Sequence, residues 1–193
     1  MNPETHTDRP TLPHVQNSTA LVTEYAAATA PAVEVELRPW EYSLAAQVGA
    51  GRTAANYRKT DAAHYDRSRM EDDRTAQHAA AASELATARA MNRYWTGCGA
   101  WSASSHSEFR DLADVGDNVE VRRIREKTGT TFAVGEKDRG RIVVAAYPEP
   151  PEFWTVRILG WIEADEAIEI GRPAGYGSRV RVPISALSLR GIE

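Results

Sequence analysis

The sequence predicts an α+β fold: a mostly antiparallel sheet of about four to five strands, an alanine-rich helix packed on one of its faces, and a further helix N-terminal to that one. Three observations carry this prediction. The segment "SRMEDDRTAQHAAAASELATARAMNRYW", Ser68 to Trp95, is the strongest helix, with Glu71, Asp72 and Asp73 early and Arg89 and Arg93 late, as the helix dipole favours. Four strand signals then follow in quick succession, "NVEVRRI", "TTFAVGE", "RIVVAAY" and "FWTVRILGWIEA". Their separators, "KTG", "KDRG" and "PEPPE", read as hairpin turns.

Along the chain, residues 1–32 are rich in proline and threonine and read as a flexible arm, whose "ALVTEYAAATA" stretch could form a short docking helix. Residues 33–193 then form a single domain. It opens on the short alternation Val33, Val35, Leu37 and passes into a helix, where Trp40, Leu44, Ala45 and Val48 recur at helical spacing behind Pro39. Gly49 and Gly51 are expected to loosen or end that helix. The "GAGRTA" around them lacks a preceding strand and a third glycine, so it is a poor phosphate loop. After Trp95, "TGCGAWSASSHSEFRDLA" reads as a loop with a short strand near Trp101. Beyond the four strands come a short helix or loop, a glycine-rich connection, a strand at Val180 to Val182 and a final turn.

A chain of 193 residues with net charge -4 supports one domain with a real core and is neither a basic nucleic-acid wrapper nor an acidic tail protein. Cys98 is the single cysteine, which excludes an intrachain disulfide and any Cys/His zinc spacing. No apolar run approaches the roughly 20 residues of a membrane-spanning helix, and no secretory pattern opens the chain. The expectation is a soluble cytoplasmic protein without a membrane partner.

Chemistry gathers at "DVGDNVEVR", Asp114 to Arg122. Residues two apart on a strand share a face, so Glu120 and Arg122 point one way and Val119 and Val121 the other. Glu84 lies on the helix among Ala80, Ala81 and Ala88, a face suited to close packing. If that helix covers the Glu120 face, Glu84, Asp114, Glu120 and Arg122 meet. Such a cluster suits Mg²⁺ or Mn²⁺, which take carboxylate and carbonyl oxygens and leave positions for water and phosphate. For Glu120 and Arg122 alone, a solvated sheet face with an ion pair is the simpler reading.

The helical Glu, then Asp, then Glu-x-Lys or a variant resembles the PD-(D/E)XK nuclease superfamily. "ASELATARAMNRYW", "DVGDNVEVR", "EKDRG", "FWTVRILGWIE" and "VPISAL" together resemble its small phage-encoded branch, over about Trp40 to Leu189. The resemblance implies a metal-dependent phosphodiesterase acting on or binding DNA in the host cytoplasm, with Asp114 and Glu120 as metal ligands and Glu84 holding a water or second ion. The pattern departs in two places: Ala113 stands before Asp114 where a proline is usual, and Arg122 fills the lysine slot. Arginine supplies charge and bidentate phosphate contacts but is no general base. Lys137 could swing into the vacant role, or a metal-bound hydroxide could replace it. The alternative is a nuclease-like fold without catalysis that binds nucleic acid or a host protein.

Other features weigh less. Arg123, Arg125, Lys127, Arg139 and Arg141, together with Lys137, form either a phosphate track or a solvated sheet edge. Trp101, Trp154 and Trp161 are core before they are base-stacking platforms. Asp117 suits a turn beside Gly116 and Asn118, whereas Asp111 competes for the Asp114 role. His106 and Glu108 lack the downstream cysteines of a zinc deaminase, and His64 and His78 read as surface residues.

Overall fold

In the computed structural model, residues 30–57, 73–98, 112–125 and 129–190 are described. The arm up to residue 29, the helix start at Ser68, and His64, Trp101, His106, Glu108, Asp111 and Lys127 lie outside them.

β1 (Val33–Glu36) leads into α1 (Pro39–Tyr57), and α2 (Asp73–Ala90) follows. The strands are β2 (Val119–Arg123), β3 (Thr131–Gly135), β4 (Ile142–Pro148), β5 (Thr155–Glu163), β6 (Arg172–Pro173) and β7 (Arg179–Pro183). The short helix α3 (Ala164–Ile170) sits between β5 and β6. This is the α+β architecture expected, with the strands divided between two sheets: β1-β5-β4-β2 and β3-β7-β6.

Only one of the three expected hairpins forms. β4 and β5 pair antiparallel across "PEPPE". β3, by contrast, leaves the first sheet to pair with β7, so β2 and β4 run parallel, Val119 opposite Ile142 through Arg123 opposite Ala146. Parallel neighbours need a crossover rather than a tight turn. Here the crossover is β3 together with the 3₁₀ turn Glu136–Asp138.

Two cores flank the four-stranded sheet. On one face, Val119, Val121, Val144, Ala146, Val156 and Ile158 pack with Ala79, Ala82 and Ala86 of α2 and Ala45 and Val48 of α1. On the other, Val143, Ala145, Leu159 and Ile162 pack with Ala164 and Ala167 of α3 and with Phe132, Val134 and Val182 of the second sheet. Ala30 and Ala32 also pack against this second core, and the Ala30 carbonyl accepts a hydrogen bond from Arg157 at 2.6 Å. Ordered packing therefore begins before the expected arm boundary at residue 32.

α1 runs through Gly49 and Gly51 to Tyr57 instead of ending there. A Cβ on Gly49 would lie 2.7 Å from the His78 backbone. Glycine is thus the contact point at which the two alanine-lined helices meet. His78 accordingly packs edge-on against Tyr42 and Phe153 instead of lying open at the surface. α2 stops at Ala90, short of Trp95, because Asn92 turns into the left-handed region at φ 51°. The amides of Asn92 and Arg93 donate to the carbonyls of Arg89 and Ala88, the paired bonds of a Schellman cap.

Candidate functional site: an acid cluster around β2

Beyond the Schellman cap, Trp95 joins the core on the helix side of the four-stranded sheet. Trp95 forms an antiparallel bridge with Val115, supported by hydrogen bonds from the Thr96 amide to the Asp114 carbonyl at 3.2 Å and from the Gly116 amide to the Tyr94 carbonyl at 2.9 Å. Gly116, at φ 56°, then turns the chain so that Val115 bridges Val119 at the start of β2. Asp117 is exposed at this turn and accepts a bond from the Tyr94 hydroxyl at 2.5 Å, which matches the turn role expected of it.

Glu84 and Glu120 lie on opposite faces of β2. The helix covers Val119 and Val121, not Glu120 as the convergence expected from sequence required. On the helix side, Glu84 is buried and held at both oxygens by Arg52, Nη1 to Oε1 at 2.6 Å and Nη2 to Oε2 at 2.5 Å. The Trp95 indole donates a third bond to Oε2 at 2.9 Å. Gly97 closes over this group: a Cβ there would lie 2.5 Å from Arg52 Nη2, Glu84 Oε2 and Trp95 Nε1.

On the opposite side, Glu120 is 4% exposed, which rules out a solvated sheet face. Arg122 donates from Nη1 to Glu120 Oε2 at 2.9 Å, and Arg141 donates to Oε1. Arg122 also reaches Asp138, Nη2 to Oδ2 at 2.7 Å, and the Ala133 carbonyl from Nε at 3.2 Å. Burial works against the charge on Asp138, but the Arg122 guanidinium and the Gly135 amide hold its carboxyl below the usual range. Nothing in the sequence marks Asp138 or Arg52; each is a buried charge revealed only by the partner it meets across the fold.

Asp114 lies between these two groups. Its Oδ2 accepts the Val121 amide at 2.8 Å, an amide of the edge strand that does not face β4. Burial first, then Glu84, then Glu120, push the Asp114 carboxyl from 3.8 up to about 7, against the opposing pull of the Val121 amide and Arg122. The three acids thus share one electrostatic neighbourhood, reached from two sides of a strand. Guanidinium groups hold both oxygens of Glu84 and both of Glu120, and none is bonded to Asp114 among the described residues. The donor chemistry, hard carboxylate oxygen, suits Mg²⁺ or Mn²⁺. Asp114 fits a ligand role, whereas Glu84 and Glu120 fit one only after releasing their arginines.

The remaining expected residues are dispersed. Lys137 is exposed on the 3₁₀ turn, and its positive charge acts on neighbouring Asp138. Arg139 is paired with Glu136 at 2.6 Å and Asp165 at 2.7 Å, and Arg141 with Glu120, so these two belong to ion pairs rather than to a continuous cationic track. Arg123 and Arg125 are partly buried at the end of β2. Trp154 stacks on Tyr42 with ring centroids 4.0 Å apart, and the Trp161 indole donates to the Arg190 carbonyl, which places both rings in packing roles. No helix among the described residues is long and apolar enough to cross a membrane. The chain matches no family model, no curated protein and no solved structure.

Proposed function

We propose that this chain is a nuclease-like domain, resembling the small phage branch of the PD-(D/E)XK superfamily, that binds DNA and in which arginines neutralise the acid cluster. The observation that carries this reading is the occupation of all four oxygens of Glu84 and Glu120 by guanidinium groups of Arg52, Arg122 and Arg141. Buried carboxylates require a compensating charge, and here the protein supplies it from its own arginine side chains. With Arg122 also anchored to Asp138, the position where the family pattern expects a lysine serves to lock the strand. Such a domain can bind a phosphate backbone without cutting it.

A second reading is favoured by Asp114, which lies against two acids with no guanidinium of its own. In it, Asp114 and Glu120 hold Mg²⁺ or Mn²⁺, Glu84 holds water, and Arg122 or Lys137 steadies a phosphate. The ion, when bound, would polarise the phosphoryl group and lower the pKa of a bound water. For its part, the chain would have to free Glu120 from Arg141 or Arg122 and keep Asp114 ionised.

One experiment separates them: incubation with single- and double-stranded DNA, with Mg²⁺ or Mn²⁺ and with chelator, read for both binding and cleavage. Binding that persists in chelator without cleavage supports the first reading. Metal-dependent cleavage lost in the Asp114→Asn, Glu120→Gln double variant overturns it in favour of the second. Neither binding nor cleavage overturns both and directs attention to a protein partner.

A further inference from the structure

We infer that the outer face of the second sheet is a binding surface for single-stranded DNA, built from Arg172, Arg179, Arg181 and Tyr176. The ligand class rests on the DNA-binding reading above; the location, the strandedness and the residues are additional to it.

β7 reads "RVRVP", and its alternation divides it cleanly. Val182 is buried and Val180 packs against the second core, while Arg179 and Arg181 are exposed. Arg181 lies directly opposite Arg172 of β6, and directly opposed residues of an antiparallel pair project to the same face. Three guanidinium-bearing side chains therefore stand on one face, Arg179 and Arg181 about 7 Å apart along the strand and Arg172 about 5 Å across from Arg181. On the other flank of β7, the residues facing Arg179 and Arg181 are Gly135 and Ala133 of β3. Beside these small residues the Arg179 side chain lies flat over Gly135, its Cγ 3.4 Å from where a Cβ would stand.

None of the three arginines forms an ion pair with a described residue, in contrast to Arg52, Arg122, Arg139, Arg141 and Arg157. Like charges directly opposite across a sheet are destabilising, so the Arg172–Arg181 pair costs stability that an anionic polymer lying across it would offset. Tyr176 supplies the second half of the chemistry. It is 50% exposed in the "GYG" turn between β6 and β7, with the Arg179 guanidinium 5.9 Å from its ring centroid. A cationic ladder beside an exposed aromatic ring is the combination that binds single strands, where the backbone is neutralised and an unpaired base stacks. A duplex offers the same phosphates but no free base face, which is what points to the single strand.

The test is fluorescence anisotropy with a short labelled oligothymidylate and with the same sequence annealed into a duplex, over a salt series. Arg172→Gln, Arg179→Gln and Arg181→Gln combined are expected to weaken single-strand binding at least tenfold and to reduce the salt slope by about 2, from three contacts at roughly 0.7 each. Tyr176→Ala is expected to weaken single-strand binding severalfold with the salt slope unchanged. All the arginines replaced are exposed, and removing the opposed Arg172–Arg181 charges relieves repulsion, so a melting temperature at or above the native value verifies folding. Native affinity and slope in the triple variant overturn the surface while leaving DNA binding in place. Equal affinity for duplex together with no effect of Tyr176→Ala overturns the single-strand assignment. Absence of binding by the native chain overturns the underlying DNA reading itself.

Discussion

Arg122 bridges two buried acids from different parts of the chain, Glu120 two residues before it at 2.9 Å and Asp138 on the 3₁₀ turn beyond β3 at 2.7 Å. Removing the cation leaves both carboxylates buried, with Glu120 still held by Arg141. Arg122→Met is expected to cost about 3–5 kcal/mol in urea unfolding, the range for breaking a buried pair from one side. Adding Asp138→Asn to that variant is expected to recover part of the loss. A neutral effect of Arg122→Met alone would show that the bridge carries no stability.

Asp114 predicts a pH dependence of definite sign. Its folded value, about 7, lies above the ordinary 3.8, so between these values the folded state holds a proton that the unfolded state has lost. Stability from this group is therefore greatest at low pH, falls as pH rises from about 4 to about 7, and levels off above that. The slope within the window is on the order of 1 kcal/mol per pH unit. Comparing unfolding of the native protein with Asp114→Asn across this range checks it, because the difference between the two curves isolates the carboxyl.

Gly97 tests whether the Arg52–Glu84–Trp95 group is closely enclosed. Alanine there would place a methyl 2.5 Å from all three side chains, so one of them must give way. The expected loss is about 1–3 kcal/mol for overpacking, accompanied by a shift in tryptophan fluorescence as the Trp95 indole leaves Glu84. Unchanged emission would mean the group yields without breaking.

At Gly49 two effects oppose each other. Gly→Ala within a helix gains about 1 kcal/mol from propensity, but here the new Cβ would lie 2.7 Å from the His78 backbone, which cannot rotate away. Overpacking against backbone, about 1–3 kcal/mol, outweighs the gain. Thermal unfolding of Gly49→Ala is expected to show a lower melting temperature, whereas Gly51→Ala serves as the comparison along the same helix.

The elements were more legible in the sequence than their pairing. Alternation marks β2 and β7, apolar runs mark β4 and β5, and alanine periodicity marks α2, because these patterns record burial residue by residue. Strand pairing is nonlocal, and nothing in "TTFAVGE" reveals that β3 belongs with "RVRVP" some fifty residues later. The acids were found for the same reason that their arrangement was missed. Their types and spacing mark them as unusual, but which side of β2 the helix covers is decided by Val119 and Val121 packing on α2. That outcome separates Glu84 from Glu120. The arginines of β7 drew no role from the sequence, although "RVRV" alternates and the strand it forms places them on one face.

The pairing of β1 with β5 has a consequence for how the molecule is made. Val33 pairs with Ile158 and Glu36 with Thr155, partners separated by more than a hundred residues. As the chain emerges from the ribosome, β1 can find no sheet to join until β4 and β5 have been synthesised, and α1 and α2 must wait with one face of their shared core uncovered. Closure of so long a loop is slow and leaves apolar surface exposed in the meantime. The alanine faces of the helices limit how much apolar area is at risk during that interval, so the same small side chains that permit close packing at Gly49 also protect the nascent chain.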